Sequence, residues 1–187
     1  LIRLAVFLPY ISNIVAISAV WTMMYSSYGP INEFLKFIGI QNPPAWLADY
    51  DWALPAMIIV TVWINVGYNI LIYFGGIQAI PHDYYEAAQI DGANSLRQFF
   101  SVTVPSLRST TFFLIITDLI STFQVFGQIM VMTKGGPGTS THVLSYYIYT
   151  TAFNFYDMGY ASAISWVLFA VILVITLIQW KGQKKYD

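Results

Sequence analysis

Cysteine is absent from this chain, and charged side chains are scarce. The lack of cysteine in 187 residues excludes disulfides and thiolate metal sites. Charged residues make up 9% of the chain, whereas a soluble domain carries about 25%. Hydrophobic residues make up 57%, and the mean hydropathy is +0.61. This composition is typical of a membrane protein. The net charge of −1 provides no electrostatic footprint for nucleic acid, so we expect no nucleic-acid partner.

Motifs for catalysis, metal binding and nucleotide binding are also missing. The two histidines, His82 and His142, fall in different loops with a long apolar run between them, so they predict no metal site. Neither Gly75-Gly76 nor the glycine turn at 135–138 is followed by the Lys-Ser or Lys-Thr of a Walker loop. We find no nucleophilic triad and no paired catalytic carboxylates in a loop. We therefore expect no catalytic residue, no metal and no cofactor in this chain.

Four apolar runs are each long enough to cross a bilayer, which takes about 20 helical residues. The predicted spans are roughly Leu4–Tyr25, Leu54–Ile77, Thr110–Met132 and Gly159–Trp180. Backbone groups in lipid must find hydrogen-bond partners within the protein, so these runs should be helices. The sequence lacks the shorter segments, alternating with period two, that a transmembrane barrel requires. It therefore predicts an all-α, polytopic transmembrane helix bundle.

The distribution of basic residues assigns the two sides of the membrane. Lys36 and Lys134 fall in the loops on one side, and the other six basic residues fall on the opposite side. Those six are Arg3, Arg97, Arg108, Lys181, Lys184 and Lys185. By the positive-inside rule, the side with six is cytoplasmic, and so are both visible termini. Each outer loop contains a predicted short interfacial helix, at Ile31–Ile38 and at Val143–Phe155.

A polar, helix-prone island separates the second and third spans. Asp83 and Glu86 have the spacing of a capping box. Gly92 suits the end of a helix. These signals predict a helix over Tyr84–Asp91, which is too short to be stable alone.

A second short helix follows within the island. Either Asn94 or Ser95 can cap it, because both side chains accept hydrogen bonds from free backbone N–H groups. This helix carries the aromatic pair Phe99 and Phe100, and Pro105 ends the run. The residues alone leave two interpretations open. The island is either an ordinary solvated loop or a surface on which another protein docks.

The order of residues in the island resembles the EAA loop of ABC importer permeases. The matching residues are Tyr85, Glu86, Ala87, Ala88, Asp91, Gly92 and Ala93, followed by Phe99 and Pro105. A second segment, 132–137, resembles the MT-x-GGP signature of sugar-type permeases of the maltose and glycerol-phosphate kind. A third segment, 148–163, is similar to the start of their last helix. Together the matches cover nearly the whole chain and point to the maltose-permease-like half of such a transporter.

The resemblance implies a transmembrane permease domain over 1–187, with the cytoplasmic EAA coupling loop at 78–108 inside it. We call residues 78–108 the EAA segment. In that family a cytoplasmic ATPase dimer grips this loop and binds the ATP. The resemblance further implies a second permease subunit, an extracytoplasmic solute-binding protein, a sugar-like solute and a location in the inner membrane. Because such permeases have at least six spans, the missing helices are expected before Leu1.

Polar side chains share one face of the second and third predicted spans. By the 3.6-residue period, the first stripe is Thr61, Asn65, Tyr68 and Asn69, and Gly67 leaves room beside it. The second stripe is Thr111, Asp118, Ser121, Thr122, Val125 and Gln128. Such groups either hydrogen-bond between helices or line a cavity. Packing is the favoured role for Ser12, Thr61 and Ser121.

Asp118 is the exception, because a lone carboxylate at mid-span costs roughly 3 kcal/mol. A cavity-facing role is favoured for it, with a partner-subunit contact or protonation as alternatives. The resemblance implies that the maltose-type solute site uses positions matching Gly67, Asn69 or Ile70, Asp118, Thr122 and Val125. The substrate-lining candidates are therefore Asn65, Gly67, Tyr68, Asn69, Asp118, Thr122 and Val125.

These observations predict the permease subunit of an ABC importer, which moves a sugar or sugar-like solute into the cytoplasm by alternating access. The first alternative is an ion-coupled secondary carrier that uses Asp118 as its proton or cation site. The second is an integral-membrane enzyme that uses Asp118 and His142, although these two residues are predicted at different depths. Neither alternative has an evident use for the island around Glu86.

Overall fold

The structure is a computed structural model that describes residues 2–183, with side chains from Ala5 to Gly182. Lys184 and Lys185, which contribute to the predicted sidedness, lie outside the described residues. The α-helices are α1 (Ile2–Ile11), α2 (Ile14–Met24), α3 (Pro30–Phe37), α4 (Tyr50–Gln78), α5 (His82–Ile90), α6 (Ser95–Gln98), α7 (Val104–Ser106), α8 (Arg108–Phe123), α9 (Gly127–Met132), α10 (Leu144–Tyr149) and α11 (Met158–Gln183). Two π-helical turns follow α6 and α10, at Phe99–Thr103 and Thr150–Asn154.

The predicted all-helical class is confirmed, because every regular element within residues 2–183 is a helix. By length and composition, three stretches of the described residues could cross a membrane: α4, α11 and the run Arg108–Met132. A fourth span exists if the bent pair of α1 and α2 counts as one. The two predicted outer helices also form, as α3 and as α10 with its π-helical turn.

The prediction of a continuous first span was wrong. The axes of α1 and α2 differ by 111° across the break between Ile11 and Ile14. The Asn13 side-chain oxygen accepts hydrogen bonds from the backbone N–H groups of Val15 (2.8 Å) and Ala16 (3.4 Å) and so starts a new helix. An asparagine side chain can take the place of a backbone carbonyl as the acceptor for a backbone N–H group. A hydropathy profile contains no information about this effect.

The third predicted span is also interrupted. α8 ends at Phe123, and α9 begins at Gly127. The break divides the predicted polar stripe, so that Asp118 and Thr122 lie on α8 while Gln128 lies on α9. A helix break beside polar side chains is a recurrent feature of transporter spans that border a cavity.

The best-packed part of the fold lies where α2, α4, α9 and α10 meet. We call this end of the bundle the far end, because it lies opposite the EAA segment. Its buried side chains are Tyr25, Ala56, Met57, Val60, Ile64, Ile129, Met132 and Tyr146. The Tyr25 hydroxyl donates a hydrogen bond to the Ala56 carbonyl at 3.2 Å. The far end therefore holds the apolar core of the chain.

The MT-x-GGP turn closes the far end between α9 and α10. The buried Thr141 hydroxyl donates to the Gly136 carbonyl at 2.8 Å and lies 2.7 Å from the Thr133 hydroxyl. Gly135 has φ +83°, and a Cβ there would lie 2.7 Å from the Tyr146 ring. The signature residues therefore build a compact turn against the core.

The backbones of α1 and α4 approach each other closely at Gly67. A Cβ at this position would lie 2.0 Å from the Val6 carbonyl oxygen, so only glycine allows the two backbones to meet. Next to it, the ring of Tyr68 stacks on Tyr10 with 4.7 Å between centroids. Small residues permit such contacts between membrane helices. These contacts hold α1 across the middle of α4.

Candidate functional site

The EAA segment contains the predicted helix but not the predicted cap. α5 begins at His82, directly after Pro81, and no side chain caps its first turn. Asp83 lies within that turn instead of preceding it, so the capping-box prediction was wrong. Glu86 points its carboxylate at His82 instead, with 3.0 Å between Oε1 and Nδ1. The i, i+4 spacing of a helix places these two side chains on one face.

Gly92 and Asn94 form the corner between α5 and α6. Gly92 has φ +76°, and the Ala93 N–H donates to the Ala88 carbonyl at 2.9 Å, which is typical of a glycine-terminated helix. The Asn94 side chain accepts from the Arg97 N–H at 2.9 Å and caps α6. The predicted helix end at Gly92 and the predicted cap at Asn94 are confirmed.

The EAA segment exposes a set of large apolar side chains. The exposed fraction is 87% for Ile90, 70% for Leu96 and 64% for Phe100. α5 has no buried side chain, and Glu86 and Ala87 are exposed as well. Clustered apolar exposure of this kind marks surfaces that another molecule covers. These exposed apolar side chains are what the docking interpretation of the island requires.

Two contacts link α5 and the end of α4 to the connection that leads into α8. The Tyr85 hydroxyl lies 2.9 Å from the Thr103 hydroxyl, in the π-helical turn that leads toward α8. At Gly76, near the end of α4, a Cβ would come within 2.8 Å of Leu107 and Thr110. α5 is thus hydrogen-bonded to the connection that starts α8, and α8 starts in close contact with α4.

Three polar pairs join α4 to α8 and α9. The pairs are Tyr73 with Thr111 (3.2 Å), Asn69 with Asp118 (2.8 Å) and Thr61 with Gln128 (3.0 Å). In the middle pair, the Asn69 amide donates to the Asp118 carboxylate. The two polar stripes predicted from the sequence therefore face each other along the bundle.

A groove lies between the pair at Asn69 and the pair at Thr61. It consists of two adjoining pockets of about 200 and 260 Å³. Asn69 and Asp118 line the smaller pocket, and Val125 and Gln128 line the larger one. Both pockets share four polar residues: Thr61, Asn65, Ser121 and Thr122. Among the described residues that line the groove there is no lysine or arginine, so it offers amides, hydroxyls and one carboxylate.

Most of the substrate-lining candidates border this groove, namely Asn65, Asn69, Asp118, Thr122 and Val125. Gly67 and Tyr68 lie outside its lining and contact α1 instead. Thr61 and Ser121, for which packing was expected, line the groove as well. Sequence reasoning missed Ile14, which reaches the larger pocket from the start of α2, because a continuous first span gave no reason to place it there.

Residues 2–180 match the family described as "Binding-protein-dependent transport system inner membrane component". The chain belongs to this family. One relative is the probable ABC transporter permease protein YurN of Bacillus subtilis, which is 38% identical over 96% of this chain and 62% of its own length. Another is the lactose transport system permease protein LacF of Rhizobium radiobacter, which is 38% identical over 99% of this chain and 63% of its own length.

The solved structures agree with this assignment. A crystal structure of a bacterial ABC transporter involved in the import of the acidic polysaccharide alginate superposes with a TM-score of 0.87 at 27% identity. The match covers 98% of this chain and 65% of that one. The fold is therefore that of an ABC transporter permease. The chain spans about three fifths of the length of the relatives that it matches.

Family membership confirms the resemblance that the EAA and MT-x-GGP segments indicated. It also bears on the alternatives considered for Asp118. The similar proteins are permeases of ABC transport systems, so they do not support an ion-coupled carrier. In this structure Asp118 accepts a hydrogen bond from Asn69 at the side of the groove.

Proposed function

We propose that this chain is part of the transmembrane subunit of an ABC importer that brings a sugar-like solute into the cell. The EAA segment carries the proposal, because it exposes large apolar side chains and its Tyr85 is hydrogen-bonded to Thr103 in the connection that leads into α8. In this proposal a partner ATPase dimer binds and hydrolyses ATP. A second permease subunit completes the pathway, and an extracytoplasmic binding protein delivers the solute.

The ATPase dimer docks on α5 and on the corner that follows it. Ala87 is small and exposed, so a partner surface can approach this side of the helix closely. Glu86 offers a carboxylate to a basic side chain, and Ile90 offers apolar area. The Tyr85 hydroxyl is hydrogen-bonded to Thr103 in the connection to α8 and so positions the helix. Residues 91–93 shape the corner, which Gly92 allows through its positive φ.

Movement of α5 reaches the groove through α8. The link from Tyr85 to Thr103 leads into α8, which carries Asp118 and Thr122 on the side of the groove. The groove lies between α4 and α8, which are joined by the hydrogen bond from Asn69 to Asp118. A shift of α8 relative to α4 therefore changes the width of the groove. Transport in one direction also requires that the solute bind the two states of the permease with different free energies.

The groove suits a neutral, hydroxylated solute. Its amide and hydroxyl groups can exchange hydrogen bonds with sugar hydroxyls, and the Asp118 carboxylate can accept them. An anionic solute would meet Asp118 without a lysine or arginine among the described lining residues. The names of similar proteins include both lactose and the acidic polysaccharide alginate. The chemistry of this groove favours the neutral class.

The EAA segment and both visible termini lie in the cytoplasm in this proposal, and the membrane is the bacterial or archaeal cytoplasmic membrane. The family description names an inner membrane component, which supports the location. Arg97 and Arg108 lie in the EAA segment, whereas Lys36 lies in α3 and Lys134 in the far-end turn. Lys181, in the last turn of α11, adds a third basic residue to the EAA side against two on the other, which supports the orientation.

Two substitutions in the full-length permease test the docking. Glu86→Lys reverses the charge on α5, and Gly92→Leu places a bulky side chain at φ +76°. We expect both variants to insert in the membrane but to lose co-purification with the ATPases. We also expect them to lose ATP-dependent uptake of radiolabelled lactose, maltose and trehalose.

Glu33→Lys is the matched control, because it reverses an exposed glutamate on α3 at the other end of the bundle. ATPase co-purification should be unchanged in this variant. Normal ATPase binding and uptake in Glu86→Lys and Gly92→Leu would show that the island is an ordinary solvated loop and not a docking surface. The ion-coupled carrier would then have to be tested next, by collapsing the ion gradient during uptake.

A further inference from the structure

Gln128 is a buried amide with an unused hydrogen-bonding atom. Its exposed fraction is 4%, and its Oε1 accepts from the Thr61 hydroxyl at 3.0 Å. Its Nε2 has no hydrogen-bond partner among the described residues. Turning the amide over changes which atom meets Thr61 and still leaves one atom without a partner. A buried amide atom in this state is costly, so native structures rarely retain one without a reason.

The far-end core holds Gln128 in place. Its neighbours on α9, Ile129 and Met132, are both buried in that core. The Thr61 hydroxyl also lies 2.9 Å from the Met57 carbonyl. Its single proton can be donated to that carbonyl or to Gln128, and in either case the hydroxyl keeps its position. The amide is therefore presented from a packed surface and not from a mobile loop.

The unpartnered amide belongs to a residue that lines the groove. Gln128 borders the larger pocket, which adjoins the pocket lined by Asn69 and Asp118. The Oδ1 atom of Asn69 is also buried and finds no partner in the described part of the chain. From Thr61 to Asn69, α4 rises about 12 Å. The groove thus has an amide with an unused atom near each of its ends.

We propose that Gln128 determines the specificity of the solute site by hydrogen-bonding one hydroxyl group of a neutral, sugar-like solute. The assignment rests on the proposed function, in which the groove is the solute path. A hydroxyl group both donates and accepts, so it can satisfy either atom of the amide. A solute that lacks this hydroxyl leaves a buried polar group unpaired, and sites of this kind discriminate strongly. Together with Asn69, Gln128 sets the position of the solute along the groove.

The test measures sugar binding by the complete transporter without the solute-binding protein, so that binding reports on the permease alone. The probes are lactose, maltose and trehalose, followed by monodeoxy analogues of the sugar that binds best. Gln128→Met keeps the length of the side chain and removes both polar atoms. Gln179→Met is the matched control, since Gln179 on α11 also has a buried, unpartnered Oε1 but lies outside the groove lining.

We expect the wild-type transporter to reject one monodeoxy analogue by roughly tenfold or more. In Gln128→Met the parent sugar should bind roughly fivefold more weakly, and the parent and that analogue should bind equally. Gln179→Met should keep the wild-type discrimination. Gln128→Leu is the second variant if methionine prevents assembly. It also removes both polar atoms of the amide and should lose the same discrimination.

Unchanged discrimination in both Gln128 variants would overturn the assignment, as would an equal loss in Gln179→Met. Failure of the wild-type transporter to bind any of the three sugars would overturn the neutral class of solute. Neither result depends on ATPase docking, which the Glu86→Lys experiment measures without any solute. The failure of this inference and the failure of the proposed function are therefore distinguishable.

Discussion

The far end and the EAA end of the bundle differ in how fully the chain covers its own apolar side chains. At the far end, Val60 and Tyr146 come from separate helices and are buried in one core. At the EAA end, Ile90 and Phe100 are mostly exposed, and α5 has no buried side chain. At the far end the chain therefore builds a buried apolar core of its own, although Tyr28 and Phe37 in the outer loop beside it are exposed. At the EAA end, the exposed apolar surface is left for another molecule to cover.

Buried amides show the same contrast between the far end and the groove. Asn32, at the far end, uses both amide atoms: Oδ1 accepts from the Trp46 ring N–H at 2.7 Å, and Nδ2 donates to the Ser26 carbonyl at 3.3 Å. Asn69 and Gln128, in the groove, each leave one atom unpartnered. Satisfied amides stabilise a fold, whereas unsatisfied ones are available to a ligand. The groove and the EAA end are therefore where we expect function, and the far end is where we expect stability.

The largest effect should come from removing one aromatic ring at each end. Tyr146→Ala empties a buried site and should lower the free energy of unfolding by about 3–5 kcal/mol. Phe100→Ala removes an exposed ring and should change it by less than about 0.5 kcal/mol. Denaturant unfolding of the purified full-length permease measures both. ATPase co-purification should fall more in Phe100→Ala than in Tyr146→Ala. An equal loss of stability in the two variants would contradict the difference between the two ends.

A smaller effect should separate two glycines of α4. Gly67→Ala places a Cβ 2.0 Å from the Val6 carbonyl oxygen and should cost about 1–3 kcal/mol as α1 is displaced. Gly75→Ala meets nothing within 4 Å and should leave stability within about 0.5 kcal/mol of the wild type. The thermal midpoints of the two full-length variants provide the comparison. If both midpoints are the same, α1 does not pack on α4 as described.

The smallest effect concerns the corner of the EAA segment. Asn94→Ala removes the cap from the Arg97 N–H and should destabilise α6 locally by about 1 kcal/mol. Faster hydrogen exchange at the Arg97 amide, with little change in the thermal midpoint, is the expected result. Asn42→Ala, an exposed asparagine between α3 and α4, serves as the control. Unchanged exchange at Arg97 would mean that the cap does not hold the corner.

Much of the fold follows from the sequence, because long apolar runs leave the chain few alternatives to helices. α4 and α11 match their predicted spans closely. The bend after Ile11 could not be read in the same way, since it depends on one side chain, Asn13, capturing two backbone donors inside an apolar run. The interruption before Gly127 was missed for a similar reason. Hydropathy measures the preference for lipid and not the continuity of the backbone.

Helical periodicity predicted some residues of the candidate site but not others. Helical periodicity placed Asn69 and Asp118 on the polar stripes of two different spans, and the structure joins them at 2.8 Å. Periodicity does not say which neighbour each part of a face meets, so Gly67 and Tyr68 contact α1 instead of the groove. Ile14 lines the groove because the chain bends between α1 and α2, and this bend was not predicted from the sequence.

The most direct test of this account is hydrogen–deuterium exchange on the complete transporter, measured with and without its ATPases. The account predicts that the ATPases slow exchange in residues 82–106 and leave the far-end turn at 133–142 unchanged. Uniform protection of both segments would contradict the division between the two ends. Absence of protection in residues 82–106 would contradict the docking of the ATPases on the EAA segment.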